Sequence, residues 1–298
     1  MTTDRDEDFR SSAAPPFDGK HEPKAGDRLR IEGMRVPAPD VTGATGFTDD
    51  WAGALLTICP TFDGYTRPLG TGFMVLPGVA LTASHVIEDA VARVNEGATI
   101  WALGAVKDQL QPWAVGTITI NGDVALLQLV PKFEIPADLE LRHFELTSRL
   151  PQPGEPVLAL GLVSAKAEYP FPADEPLQAT GVAAAGVAVE RLARIPLTPG
   201  FGVHARFFAP SGMSGGPVFD RRGFVFGLLS NSMEGENGEP HDANVLAPLP
   251  VLLETIHPPW PPQLFTPASI WPGQVDEAWH IGIGRNDEGQ TTFAYFDE

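Results

Sequence analysis

An all-β fold of short strands is what this sequence predicts, and three observations predict it. Glycine and proline are abundant, 31 and 30 of 298 residues, which supplies the many turns such strands require. Short apolar runs recur between those turn residues, with β-branched and aromatic side chains in most of them. The composition, 43% hydrophobic and 19% charged, is that of a globular chain able to bury one large β domain with extensions.

Taken in order, residues 1 to about 28 are polar, carry Pro15-Pro16 and charges of both signs, and are expected to be disordered. Leu29 and Ile31 alternate with Arg28, Arg30 and Glu32, which hints at a short strand at most. Ala54 to Cys59 reads as a buried strand, so Cys59 is expected to be an inert core thiol. Gly70 to Leu76 is a second strand, Pro77-Gly78 a turn, and Val79 to Ala83 a third. Ser84 to Ala92 has a short helical spacing of apolar residues. Ile100–Leu103, Trp113–Ile120 and Val124–Val130 continue the strand pattern, and Pro131 to Gly154 reads as a polar linker with His143 at the surface. Pro156–Val163 and Leu177–Leu192 are further strands. The run Val182 to Val189 also has helical propensity, but valines interleaved with small residues favour the strand. Phe201–Phe208 and Gly223–Ser230 follow, and Pro248–Ile256 has the apolar spacing of a helix. Beyond it, His257-Pro258-Pro259-Trp260-Pro261-Pro262 predicts polyproline II or an irregular packed segment. Trp279 to Phe296 alternates about Asn286-Asp287-Glu288-Gly289, as a β-hairpin does.

The net charge is −18 and the pI about 4.7. Such acidity repels phosphate, so nucleic acid and anionic membranes are not expected partners. One cysteine permits no intrachain disulfide, which excludes a disulfide-stapled secreted scaffold. The acidic start, Met1 to Asp8, has no apolar core of a signal peptide, and no apolar run has the length of a membrane span. A cytoplasmic protein is the simplest expectation. The histidines are dispersed without metal-ligand spacing, and no cofactor is expected.

Three stretches carry chemistry. Leu81-Thr82-Ala83-Ser84-His85-Val86-Ile87 offers a histidine at the end of a strand. Asn121-Gly122-Asp123-Val124 offers an aspartate at the entry of another. Pro210-Ser211-Gly212-Met213-Ser214-Gly215-Gly216-Pro217 offers a serine among glycines. A serine hydroxyl is a weak nucleophile and needs a base beside it and donors for the oxyanion it creates. Alone, each stretch has a plainer reading: a satisfied core or surface histidine, a turn aspartate, a tight Gly-Pro turn. Together they supply His85, Asp123 and Ser214 in that order.

That order and those local contexts resemble the chymotrypsin-like (trypsin-fold) serine peptidases, over roughly Trp51 to Ile256, and within them the cysteine-poor bacterial, HtrA-like branch. The resemblance implies two six-stranded Greek-key β-barrels, about 51–135 and 150–257, with a C-terminal helix. Residues 1–50 then form a polar, partly disordered extension and 258–298 a Pro-rich tail. It implies catalytic roles for His85, Asp123 and Ser214, and an oxyanion hole made by the backbone N–H groups of Gly212 and Ser214. It places Phe208, Ser230 and Ser232 at the substrate pocket, with Ser230 also supporting the aspartate. Where the digestive enzymes carry an aspartate before the nucleophile, this chain has Met213, so activation by a freed amino terminus is not expected. Where the trypsin subgroup carries a pocket aspartate, this chain has Phe208, so an uncharged, small to medium or apolar side chain is the expected preference. The function expected is a regulated cytoplasmic serine endopeptidase acting on protein or peptide substrates, controlled by loop ordering or an activating protein partner. A catalytically silent binding module and an esterase with the same triad are the competing expectations.

Overall fold

The computed structural model describes residues 30–36, 53–76, 78–106, 109–133, 140–164, 171–172, 179–192, 201–233, 241–248, 281–285 and 291–295. Its elements are β1 (Arg30–Met34), β2 (Leu55–Phe62), β3 (Tyr65–Thr66), β4 (Gly70–Leu76), β5 (Val79–Ala83), α1 (Ser84–Ala92), β6 (Thr99–Val106), β7 (Gln109–Asn121), β8 (Val124–Pro131) and β9 (Glu140–Phe144). They continue with β10 (Pro156–Val163), β11 (Phe171–Pro172), β12 (Thr180–Leu192), β13 (Gly202–Phe207), β14 (Pro217–Phe219), β15 (Val225–Met233), β16 (His241–Leu246), β17 (Ile281–Arg285) and β18 (Thr291–Tyr295).

Two closed, six-stranded antiparallel barrels make up the body. The first runs β2-β4-β5-β8-β7-β6 and closes through β2–β6; the second runs β10-β12-β13-β16-β15-β14 and closes through β14–β10. Numbered within each barrel, both follow the order 1-2-3-6-5-4, so one Greek-key plan is used twice. Closure removes the unpaired edges an open sheet would expose. The expected all-β class and paired barrels are therefore what the chain adopts. The C-terminal helix expected over Pro248–Ile256, and the Pro-rich run after it, lie outside the described residues.

Period-two alternation explains the fully buried strands. In β10, Val157 and Ala159 point into the second barrel, while Leu158, Leu160 and Leu162 join the core shared with the first. A strand with a barrel interior on one face and a neighbouring barrel on the other reads as a continuous apolar run. β4 and β5, buried at every position, are of the same kind.

The connection between barrels corrects two expectations. Residues 140–150 are not a polar linker. β9 pairs in parallel with β1, Glu145 N–H donates to Met34 O (3.1 Å), and Val36 N–H donates to Gly223 O on the second barrel (2.9 Å). Arg35 completes the contact, bonded to the Glu145 carboxylate and stacked 4.0 Å over the Phe224 ring. His143 is 4% exposed rather than on the surface, because its strand is covered by these neighbours. Phe144 lies between Phe73 of the first barrel and Phe219 of the second, at centroid distances of 6.3 and 4.9 Å. Arg149, 5% exposed, pairs with Glu155. Burial alone would raise the Glu155 carboxyl, but the Arg149 hydrogen bonds outweigh it and hold it below its ordinary value.

Cys59 is fully buried, and burial pushes its thiol far up from the ordinary value, as an inert core thiol requires. The tail hairpin forms as β17 against β18, Ile281 opposite Tyr295. Among the described residues, no helix is long and apolar enough to cross a membrane.

Candidate active site

Strand pairing collapses the 38 residues between His85 and Asp123. β5 pairs with β8 in the register Ala83↔Val124, so the residues just outside this pair, Ser84 and Asp123, face each other. Asp123 is set by the two-residue loop of the β7–β8 hairpin, where Asn121 pairs with Val124. Gly122 takes φ +58° at the first loop position, the one a type II′ hairpin reserves for glycine. Ser84 N–H then donates to the Asp123 carbonyl (3.0 Å), and His85 N–H in the first turn of α1 donates to Asp123 Oδ1 (3.0 Å). The carboxylate thus caps an orphan amide that no side chain of the preceding residue satisfies.

The same carboxylate holds the imidazole. His85 Nδ1 lies 3.0 Å from both Asp123 Oδ1 and Oδ2, the Ser84 hydroxyl donates to Oδ1 (2.9 Å), and the Ser230 hydroxyl donates to Oδ2 (2.5 Å). Asp123 is 9% exposed. Burial alone would raise its pKa; the bonds from His85 and Ser230 outweigh that and keep the carboxyl below its ordinary value. An ionised Asp123 fixes the proton of neutral His85 on Nδ1 and leaves Nε2 as the acceptor. The His85 side chain is 44% exposed, as a group that meets an outside molecule must be.

Ser214 arrives from the second barrel on two consecutive turns. Met213 N–H donates to Pro210 O (3.2 Å) and Gly216 N–H to Met213 O (2.9 Å). The third residue of each turn, Gly212 at φ +99° and Gly215 at φ +83°, has the positive φ of a type II turn. Gly215 has no room for a side chain either: a Cβ there would stand 2.2 Å from Thr71 O and 2.3 Å from Thr82 Oγ1. A trans peptide directs its N–H opposite its C=O. With Met213 O taken by Gly216, the Ser214 N–H faces the other way. Among the described residues neither it nor the Gly212 N–H has a hydrogen-bond partner.

The serine loop is pressed onto the first barrel. Thr71 N–H donates to Ser214 O (2.8 Å). Gly70 is flanked by Ser214 O and by Val86, the residue after His85: a Cβ on Gly70 would lie 2.8 Å from the former and 2.9 Å from a Val86 methyl. This brings Ser214 beside the His85 helix. Among the described residues, no hydrogen bond joins the Ser214 hydroxyl to His85.

Ser230 and Ser232 lie on β15, and Phe208 lies just after β13 on the segment leading to Ser214. Ser232 lies 3.4 Å from Ala209 O, which sets β15 against the segment leading to Ser214. Phe208 is 52% exposed, so it lies on an open surface and not at a closed pocket floor. On that side of β15 the partner strand β14 ends at Pro217↔Leu228, so among the described residues Asn231 to Met233 are paired only on β15's other side, with β16. Met213, fully buried against Gly161, packs into the core of the second barrel.

Sequence reasoning missed Ser84, Thr71 and Thr82. Ser84 could have been found, since it adjoins His85 and its hydroxyl needs a partner at a helix start. The threonines look like ordinary strand residues: the Thr71 hydroxyl finds Gly212 O and Leu162 N–H only when the barrels dock, and the Thr82 hydroxyl bonds Thr71 O within the first barrel. Among the described residues no group of three or more His, Cys, Asp or Glu side chains could hold a metal.

The profile of the trypsin-like peptidase domain matches residues 70–228, more than half of the chain. No curated protein sequence matches. Among solved structures, human heparin binding protein is similar at 15% identity, TM-score 0.50, over 74% of this chain and 100% of that one. Deg5 is similar at 18% identity, TM-score 0.49, over 68% and 87%. The MamO protease domain from Magnetospirillum magneticum is similar at 14% identity, TM-score 0.48, over 69% and 97%.

Proposed function

Because this chain belongs to the trypsin-like peptidase domain family, we propose that it is a serine endopeptidase that cleaves protein substrates through an acyl-enzyme on Ser214. The observation that carries this reading is the bidentate hold of Asp123 on His85 Nδ1, next to a serine loop whose Gly212 and Ser214 N–H groups have no partner among the described residues.

In the reaction, Ser214 Oγ bonds to the carbonyl carbon of the scissile peptide while its proton passes to His85 Nε2. Asp123 stabilises the resulting imidazolium. The carbonyl oxygen, now an oxyanion, accepts from Gly212 and Ser214 N–H, each such donor contributing about 3–4 kcal/mol to the transition state. The C–N bond breaks as His85 gives its proton to the leaving amine. Water, deprotonated by His85, then hydrolyses the ester and Ser214 regains its proton.

The side of Asn231–Met233 that has no strand partner among the described residues offers backbone groups to an extended substrate. Phe208 and Met233, 52% and 70% exposed, border it with apolar surface, which suits an uncharged, apolar substrate side chain. The peptidase unit spans 51–257, as barrels at about 51–135 and 150–257, with 1–50 and 258–298 as extensions. Met213 in the core leaves no carboxylate for a new amino terminus to pair with, so activity does not depend on cleavage of a pro-segment. We propose a narrow, cytoplasmic role controlled by loop ordering or an activating partner.

The competing reading, a silent binding module, has the unformed Ser214–His85 hydrogen bond behind it. Apo sites often close that bond only with substrate present. A fluorophosphonate probe separates the two. Labelling of the wild type that disappears in Ser214→Ala supports the peptidase; a folded wild type that stays unlabelled supports the module. Digestion of a peptide library separates a peptidase from an esterase.

A further inference from the structure

Thr71 is fully buried in β4 of the first barrel, yet each of its polar groups is bonded to the serine loop or to a strand beside it. Its N–H donates to Ser214 O (2.8 Å). Its hydroxyl donates to Gly212 O (2.8 Å) and accepts from Leu162 N–H of the second barrel (2.9 Å). Its carbonyl accepts from the Thr82 hydroxyl (2.7 Å). We propose that Thr71 is a positioning residue for the oxyanion site: its hydroxyl and N–H fix the peptides on either side of the Met213–Ser214 peptide and so aim the two donor amides. The proposal rests on the peptidase reading above and adds a residue to it.

Two glycines with positive φ give the loop freedom at both ends, and freedom is what an oxyanion site cannot have. The Gly212–Met213 peptide is fixed at its oxygen by the Thr71 hydroxyl and at its nitrogen by Pro210 O. The Ser214–Gly215 peptide is fixed at its oxygen by the Thr71 N–H and at its nitrogen by Leu229 O. The peptide between them carries the Ser214 N–H. It is thereby set from both sides, with Gly216 N–H on Met213 O. A turn of the Ser211–Gly212 peptide, which would carry the Gly212 N–H away, has to rotate φ of Gly212 against the pinned Gly212 O. Any residue at 71 except proline supplies the backbone bond to Ser214 O. Only a hydroxyl reaches Gly212 O while serving Leu162 N–H, and it also ties the loop to the barrel that carries His85 and Asp123.

The test compares the full-length wild type with Thr71→Val, which keeps the shape and removes the hydroxyl, and with Thr71→Ser, which keeps the hydroxyl. The readouts are kcat and KM on a peptide substrate, the fluorophosphonate labelling rate, the acid limb of the pH profile and the melting temperature. Thr71→Val is expected to lose about 10- to 100-fold in kcat and labelling rate with KM within about 2-fold, the signature of an interaction made in the transition state. The acid limb stays in place, since the hydroxyl does not touch His85 or Asp123, and Thr71→Ser stays within about 3-fold of the wild type. A folded Thr71→Val that labels at the wild-type rate overturns the proposal. So does an equal loss in Thr71→Ser, or a change confined to KM. If Thr71→Val does not fold, Thr71→Ala replaces it and is read in the same way. An unlabelled wild type removes the peptidase reading, and this inference with it; a labelled wild type beside a labelled Thr71→Val removes this inference alone.

Discussion

The Ser230 hydroxyl donates to Asp123 Oδ2 across the junction of the two barrels, from β15 of the second to the β7–β8 turn of the first. The carboxylate that orients His85 is therefore itself oriented by the barrel that carries Ser214. Docking of the barrels and assembly of the site are one event.

Asp123→Asn tests the carboxylate without removing its volume. An amide at this place offers His85 Nδ1 a donor or a weaker acceptor, which favours the tautomer with the proton on Nε2, where Ser214 needs an acceptor. A drop of about 10⁴-fold in kcat is expected, the size seen when this tautomer is lost in such triads, with a melting temperature close to wild type. Activity within tenfold of wild type would mean that Asp123 does not orient the imidazole.

Ser84→Ala removes one donor from the same carboxylate. With that donor gone, the carboxylate loses one hydrogen bond to a charged group. A melting temperature lower by about 3–12 °C is expected. An unchanged melting temperature contradicts Ser84 as a donor to Asp123. Plateau activity should fall by only a few-fold, since Ser230 and His85 still hold the carboxylate.

Much of this was legible in the chain itself, for reasons that individual elements show. The run of β10 and the helix α1 coincide with the ranges read from apolar pattern, because β10 has a barrel on each face and α1 buries Val86, Ile87 and Ala90 at helical spacing. β16 went unread. Of the described side chains in its sequence, His-Asp-Ala-Asn-Val-Leu, only Ala243, Val245 and Leu246 are buried, and Asp242 gains its partner, Arg206, from β13, distant in sequence. The stretch that holds β9 was read as linker because His143 and Arg149 look like surface residues until partners cover them. His85, Asp123 and Ser214 stood out as a set because chain order is visible in sequence. Thr71 did not, because its function lies in who faces it.

His143 gives a stability signature in pH. Burial pushes its pKa below the ordinary value, and this outweighs the upward pull of the Phe144 carbonyl and of Glu145. The unfolded chain then binds the proton more readily than the folded one, so stability is fully present above the unfolded value of about 6.5 and falls as pH drops below it. The carboxyls of Asp123 and Glu155, also lowered, act in the same direction but only at more acid pH. Between about pH 5 and 7 the melting temperature should therefore decline with acidification, and His143→Gln should flatten that decline. An unchanged slope in the variant would assign the effect to another group.

Phe144→Ala tests whether the barrels melt as one body. The ring fills the junction between Phe73 and Phe219, is fully buried, and comes from neither barrel. Its removal forfeits the transfer energy of an aromatic side chain and leaves a cavity against both neighbours, about 3–5 kcal/mol in a rigid core. For a domain of this size that corresponds to a melting temperature lower by roughly 6–20 °C. Since the Asp123–Ser230 and Thr71–Gly212 bonds span the same junction, activity should fall at temperatures well below the melt, and Phe144→Leu should recover most of both losses. If the barrels were independent, Phe144→Ala would split the single transition into two with one midpoint unmoved, and that result would refute the coupling between docking and the site.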